Sequence, residues 1–258
     1  MKWKEQAKRL IEVLDMVGSP VGISYSRESQ PGADLSAKYW LCDAIKSARD
    51  GHVIQICREN SACFTGSWYV GLCPRPEGEQ YQLLKKFVVE GEKLCASHAA
   101  FHRMTSQITP PPYGIADWII MAPLEEAEMP PDAVIFLVNP EQGSRLLTLA
   151  TFESGIPPRI EMHGPTCHQV IGYPVAAGQL NVSLMDITSR KRYQPSELCV
   201  SIPGFMLDTI IDAIDRCTAG VAHFEAPGEL AVFIENLSES DKKPRKTKPK
   251  KRKNRAKK

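Results

Sequence analysis

The run Ala133-Val134-Ile135-Phe136-Leu137-Val138-Asn139-Pro140-Glu141-Gln142 decides the fold class. Its first six residues are an unbroken apolar, β-rich stretch of strand length. The next four carry a cap residue, proline at the first helical position and glutamine three residues after the cap, which together start a helix. This buried-looking strand feeds directly into a helix expected to run to about Glu153. Working outward, Val21–Tyr25, Val53–Cys57, Trp118–Ala122 and Leu198–Ile202 read as further strands. Trp3, Ala7, Leu10, Ile11, Leu14 and Val17 recur at spacings of three and four, giving a helix over 3–17 that Gly18-Ser19-Pro20 stops. Helices are also expected over 38–49 and 81–104, and Leu207, Ile210, Ile211, Ile214 and Cys217 form a last helical stripe. Residues 60–71 are rich in small side chains and suit a loop feeding a closely packed helix. The alternation predicts an α/β or α+β fold, a single compact mixed-sheet domain over 1–235.

A faint internal echo divides that domain. Cys42-Asp43-Ala44-Ile45, with Gly51 before an apolar strand, parallels Cys167-His168-Gln169-Val170, with Gly178 before Asn181-Val182-Ser183-Leu184. This predicts two similar half-domains, each presenting a cysteine at a helix start.

The charge is equally uneven. The chain has 258 residues and a net charge of +2, yet 12 of its 32 Lys and Arg and only one of its 30 Asp and Glu fall in residues 241–258. The body is therefore −9 and the end +11. A Lys/Arg-rich tail over 236–258 is expected to be disordered and to contact polyanions or nucleic acid nonspecifically, since it has no aromatic side chain for base stacking. Its alternative reading is a solubilising extension. No stretch approaches the roughly 20 apolar residues of a membrane span. The first residues lack an apolar signal core, so a soluble, cytoplasmic protein is expected.

Several segments in order resemble a known family: Ser19-Pro20-Val21-Gly22-Ile23-Ser24; Cys42-Asp43-Ala44-Ile45; Asn60-Ser61-Ala62-Cys63-Phe64-Thr65-Gly66; Ala122-Pro123-Leu124; Ala133 to Gln142; Gly164-Pro165-Thr166-Cys167; and Glu197-Leu198-Cys199-Val200. The series resembles the uncharacterised prokaryotic domain-of-unknown-function family 169, from about Ile11 to Cys217. The resemblance implies a bacterial or archaeal cytoplasmic protein with one compact domain and no assigned activity. Cys42, Cys63 and Cys167 match the family pattern. Some members carry a further cysteine after the Asn-Val-Ser-Leu stretch, where this chain has Met185-Asp186, and that departure puts a four-thiolate site in doubt.

Eight cysteines in a chain expected to be cytoplasmic point to thiol chemistry or packing rather than a disulfide framework. Cys42, Cys63 and Cys167 stand beside small residues at element ends and are candidate ligands for an iron–sulfur cluster or zinc, with Cys73 or His168 as a fourth. Three thiolates leave one iron of a cluster open to substrate or an exogenous ligand. No Cys-x-x-Cys pair is present, so convergence has to come from the fold. The competing readings are buried small hydrophobes, and redox chemistry at a loop thiol such as Cys63. Cys57, Cys95, Cys199 and Cys217 are read as core.

A second functional reading places a small anionic ligand at Asn139 and Arg145, on the free amides that open the helix after the decisive strand. There the cysteines only pack, and the Arg190-Lys191-Arg192 run could add charge. Phosphate-binding glycine loops and a nucleophile elbow are absent from the sequence. His98 and His102 lie four apart on a helix expected to face solvent, and Glu125 and Glu126 fall in a loop.

Overall fold

The computed structural model describes residues 2–241. They divide into one unit ending at Ala222 and a second beginning at His223. The first contains helix α1 (Lys2–Leu14), strand β1 (Val21–Ser26), α2 (Leu41–Arg49), β2 (Ile54–Cys57), α3 (Phe64–Tyr69), α4 (Gly78–Lys86), α5 (His98–Thr105), β3 (Trp118–Pro123), β4 (Ala133–Val138), α6 (Pro140–Thr151), α7 (Tyr173–Ala177), β5 (Asn181–Ser183), α8 (Ile187–Arg190), β6 (Leu198–Pro203) and α9 (Leu207–Ala213). The second unit holds α10 (Gly228–Asp241), which runs across position 235. The part of the expected basic tail from 242 to 258 lies outside the described residues.

The six strands form one sheet in the order β2-β3-β1-β4-β6-β5, antiparallel at every pairing. That order maps onto itself when β1, β2 and β3 exchange with β4, β5 and β6. The register obeys the same exchange. Val21 faces Pro123 as Ala133 faces Pro203. Ile54 faces Met121 as Asn181 faces Ser201. At the centre the relation is reciprocal, with Val21 opposite Ile135, Ile23 opposite Ala133, and Gly22 opposite Val134 between them. Even the strand exits agree, because Leu124 N–H donates to the Pro20 carbonyl and Gly204 N–H to the Asp132 carbonyl, at 2.8 and 2.9 Å. The two half-domains read from the cysteine echo are therefore two halves of one sheet related by a pseudo-twofold.

Alternation along the strands sends their side chains into two cores. Val134, Phe136, Val138, Val200 and Ile202 pack with α1, α6 and α9 on one face. Val21, Ile23, Met121, Ile135, Leu137 and Cys199 pack with α2 and the 167–171 segment on the other. All six residues of β4 are buried, as expected of a central strand covered on both faces.

The helix expected over 81–104 is interrupted. After α4 the backbone widens into a π-helical turn over Phe87–Gly91, Lys93 takes a left-handed φ of 56°, and Ser97 caps α5 afresh through the Ala100 N–H. Apolar spacing continued across the break because Leu84, Val88 and Phe101 all reach the same core.

Candidate functional site

The pseudo-twofold puts Cys42 and Cys167 in equivalent places. Each lies at the start of a helical segment between the first and second strand of its half, one opening α2 and the other a π-helical turn over His168–Gly172. The next corner is equivalent too. Cys63 caps α3, its Sγ accepting the Gly66 N–H at 3.2 Å. Asp186 caps α8, its Oδ1 accepting from the Thr188 and Ser189 N–H groups at 3.1 and 2.9 Å. Gly66 is required for this approach, because a Cβ there would stand 2.6 Å from Cys63 Sγ and 2.7 Å from Leu41 Cδ1. Opposite it, Met185 adopts a left-handed φ of 65° as the chain turns into Asp186.

These four groups lie within electrostatic reach of one another. Burial, with smaller contributions from Asp186 and Cys63 and against the Ser189 hydrogen bond and Arg192, pushes the Cys42 thiol up to about 11. Burial likewise raises Cys63, with Asp186 adding to it against the Gly66 N–H and Arg192. Cys167 is raised well above the ordinary thiol range by burial and then by Cys63, Cys42 and Asp186. Every pairing among the four is thus close enough for one charge to oppose another.

Asp186 behaves differently from the thiols. Burial alone would raise it, but hydrogen bonds from Thr188, Thr166 and Ser189 outweigh that and hold its carboxyl well below the usual range. Its Oδ2 accepts the Thr166 N–H and hydroxyl at 2.9 and 2.7 Å and the Ser189 hydroxyl at 2.7 Å. Since Ser189 spends its proton on Asp186, the 3.1 Å contact between Cys42 Sγ and Ser189 Oγ has the thiol as donor. A hydrogen-bonded line therefore runs from Cys42 through Ser189 and Asp186 to Thr166, the neighbour of Cys167. Tyr193 fixes the other end by donating to the Cys42 carbonyl at 2.6 Å.

The two residues expected as a fourth ligand lie elsewhere. Cys73 lines a separate cleft of about 220 Å³ with Trp68, Arg75 and Pro111, and burial raises its thiol against the opposing charge of Arg58. His168 is 1% exposed, faces the Tyr69 carbonyl, and is held neutral by burial, which lowers it to about 4. Asp186 was not nominated as a site residue, although the family resemblance marked its neighbourhood, where some members carry a further cysteine and this chain has Met185-Asp186. Among the described residues, no three His, Cys, Asp or Glu side chains stand close enough together to close on a metal ion as they are.

Asn139 and Arg145 are each engaged within the fold. Asn139 forms a complete capping box with Gln142, at 2.9 Å in both directions. Arg145 donates to the carbonyls of Ala219 and Gly220 at 2.8 and 3.3 Å. In the basic run, Arg190 is spent on the Glu197 carbonyl at 2.5 Å, while Arg192 pairs with Asp43 at 2.8 Å. His98 stands 3.8 Å from Glu90 and His102 3.2 Å from the Tyr81 hydroxyl, both on the surface. Cys57, Cys199 and Cys217 are buried as expected, and Cys95 packs partly buried against the core. No helix among the described residues is long and apolar enough to cross a membrane.

No curated protein and no solved structure matches the chain. One family model does match, over residues 9–213, and it is described as an uncharacterised ArCR family, domain of unknown function 169. Its span takes in all six strands, the three cysteines and Asp186. The chain belongs to the domain-of-unknown-function family 169.

Proposed function

We propose that this protein is a cytoplasmic metal protein in which Cys42, Cys63 and Cys167 hold an iron–sulfur cluster or a zinc ion for a redox or cofactor-handling role. What supports this reading is that three thiols from distant parts of the sequence lie within electrostatic reach of one another, so that ionising one opposes ionising another. Packing alone gives no reason for three acidic groups and Asp186 to share one place. A metal does, because it replaces the thiol protons and turns mutual repulsion into shared attraction.

The test is anaerobic purification followed by iron, sulfide and zinc analysis and a visible spectrum. The expected result is bound metal that is lost, with the fold retained, when Cys42, Cys63 and Cys167 are changed to serine. A colourless protein that takes up neither iron and sulfide nor zinc on reconstitution overturns the reading.

A further inference from the structure

We propose that the cleft beside Cys73 binds a small planar carboxylate, with Arg75 taking the carboxylate and Trp68 and the facing prolines forming the walls for its ring. This site stands apart from the thiols discussed above and does not depend on a metal. The cleft forms because two turns are pressed together. After α3 the chain reverses at Gly71, whose φ is 80°, and a Cβ there would stand 3.1 Å from the Pro111 carbonyl oxygen and 3.2 Å from the Pro111 Cβ. The Tyr25 hydroxyl holds the same turn by donating to the Val70 carbonyl at 2.8 Å. The space left, about 220 Å³, is lined by Trp68, Cys73 and Arg75 from this turn and by Ile108, Pro111 and Tyr113 from the segment before β3.

The charge of the cleft is set by Arg75. Among the described residues, Lys2 over Trp3, Arg192 over Trp40 and Arg216 over Phe152 each sit on an aromatic ring and also meet a carboxylate, that of Asp208, Asp43 or Glu153. Arg75 sits in the same way, 5.7 Å from the Trp68 ring centre, yet no described carboxylate pairs with it. Its backbone is held in place because it stands between Pro74 and Pro76, and proline both fixes its own φ and keeps the residue before it extended. Arg58 and Glu59 act on Cys73 with opposite signs, and burial favours the protonated thiol, so neither supplies a counter-charge for Arg75.

The remaining lining sets the shape of the occupant. Pro110, Pro111 and Pro112 present ring faces and offer no N–H, so the wall opposite Arg75 has no donor to compete for an anion. Trp68 is 4% exposed, and its indole N–H has no acceptor among the described residues and is not sealed from solvent. The volume falls below the roughly 300–1,000 Å³ of a pocket for a drug-sized ligand, which limits the occupant to about one ring with its carboxylate. An unpaired guanidinium fork matches a carboxylate through two parallel hydrogen bonds, while the ring of the ligand packs on Trp68 and the proline faces. One free cation and room for one ring do not suit a nucleotide or a polyanion.

The experiment uses the full chain, with benzoate as the probe and benzamide, which has the same shape without the charge, as its control. Binding is read by titration calorimetry, and the site is located by the rate at which iodoacetamide alkylates Cys73, followed by peptide mass spectrometry. Benzoate is expected to bind the wild-type chain and to slow alkylation of Cys73 but not of Cys95, with benzamide at least about tenfold weaker. Arg75 is exposed, so Arg75→Gln should keep the wild-type unfolding midpoint while weakening benzoate at least about tenfold. Arg216→Gln alters a cation that already has a carboxylate partner and should leave binding unchanged. A wild-type chain that does not bind benzoate, binding that leaves Cys73 as reactive as before, or an Arg75→Gln protein that binds as wild type does overturns the site. Benzamide binding as tightly as benzoate overturns the carboxylate class, and an equal loss in Arg216→Gln reduces the effect to general charge and overturns the role of Arg75.

Discussion

Replacing Asp186 by alanine in metal-free protein tests whether its hydrogen-bond network holds the second half of the sheet. Alanine removes the cap of α8, a loss of about 1 kcal/mol. It also strands the N–H of Thr166, a residue 0% exposed, at about 1–3 kcal/mol for an unsatisfied buried donor. Together the cost is about 3 kcal/mol, a large part of the roughly 5–15 kcal/mol that holds a domain folded. Asp186→Asn keeps an acceptor for the helix amides but turns a donor toward Thr166, so it should cost about half as much. The pH dependence has a fixed sign. The folded carboxyl lies below its ordinary value, so its contribution is complete above the unfolded value near 3.9 and is lost as pH falls through the folded one. The assay is urea unfolding followed by tryptophan fluorescence with a chelator present. A midpoint loss worth less than about 1 kcal/mol at unchanged slope refutes the reasoning, as does a gap between wild type and Asp186→Asn that widens below pH 4.

Three further outcomes are expected. Burial keeps His168 neutral down to about 4, so the unfolded chain takes up a proton the folded one refuses and stability falls between pH 6.5 and 4, by about 3 kcal/mol; His168→Gln should flatten that part of a stability–pH curve. Gly204→Ala would put a Cβ 1.7 Å from the Pro131 carbonyl oxygen, and because backbone cannot yield cheaply, the melting temperature should drop by an amount worth about 1–3 kcal/mol. Ending the chain at Asp241 should leave the unfolding transition unchanged while removing salt-sensitive binding to heparin, because 12 of the 32 basic residues go with the deleted segment.

The strands and the capped helix were legible because their signals are local. Six consecutive apolar residues, or an Asn-Pro-x-Gln start, carry their own physics, and β4 and α6 formed where those signals stood. Even the duplication left a trace, in the two cysteines that precede β2 and β5. The interruption of the 81–104 helix was not legible, since apolar spacing survives a π-turn that still aims Val88 and Phe101 at one core. Nor was the use made of Arg145, whose partners are carbonyls more than seventy residues away.

By itself the sequence determined the main strands, the helix that follows β4 and which cysteines merited attention. The proximity of those cysteines belonged to the tertiary structure alone, because thiols at 42, 63 and 167 share no local spacing and come near one another only when two sheet halves pair about Gly22 and Val134. The same pairing brings Asp186 within electrostatic reach of the three thiols. Residue type could nominate candidate ligands, but only the tertiary fold brings residues so distant in sequence near one another.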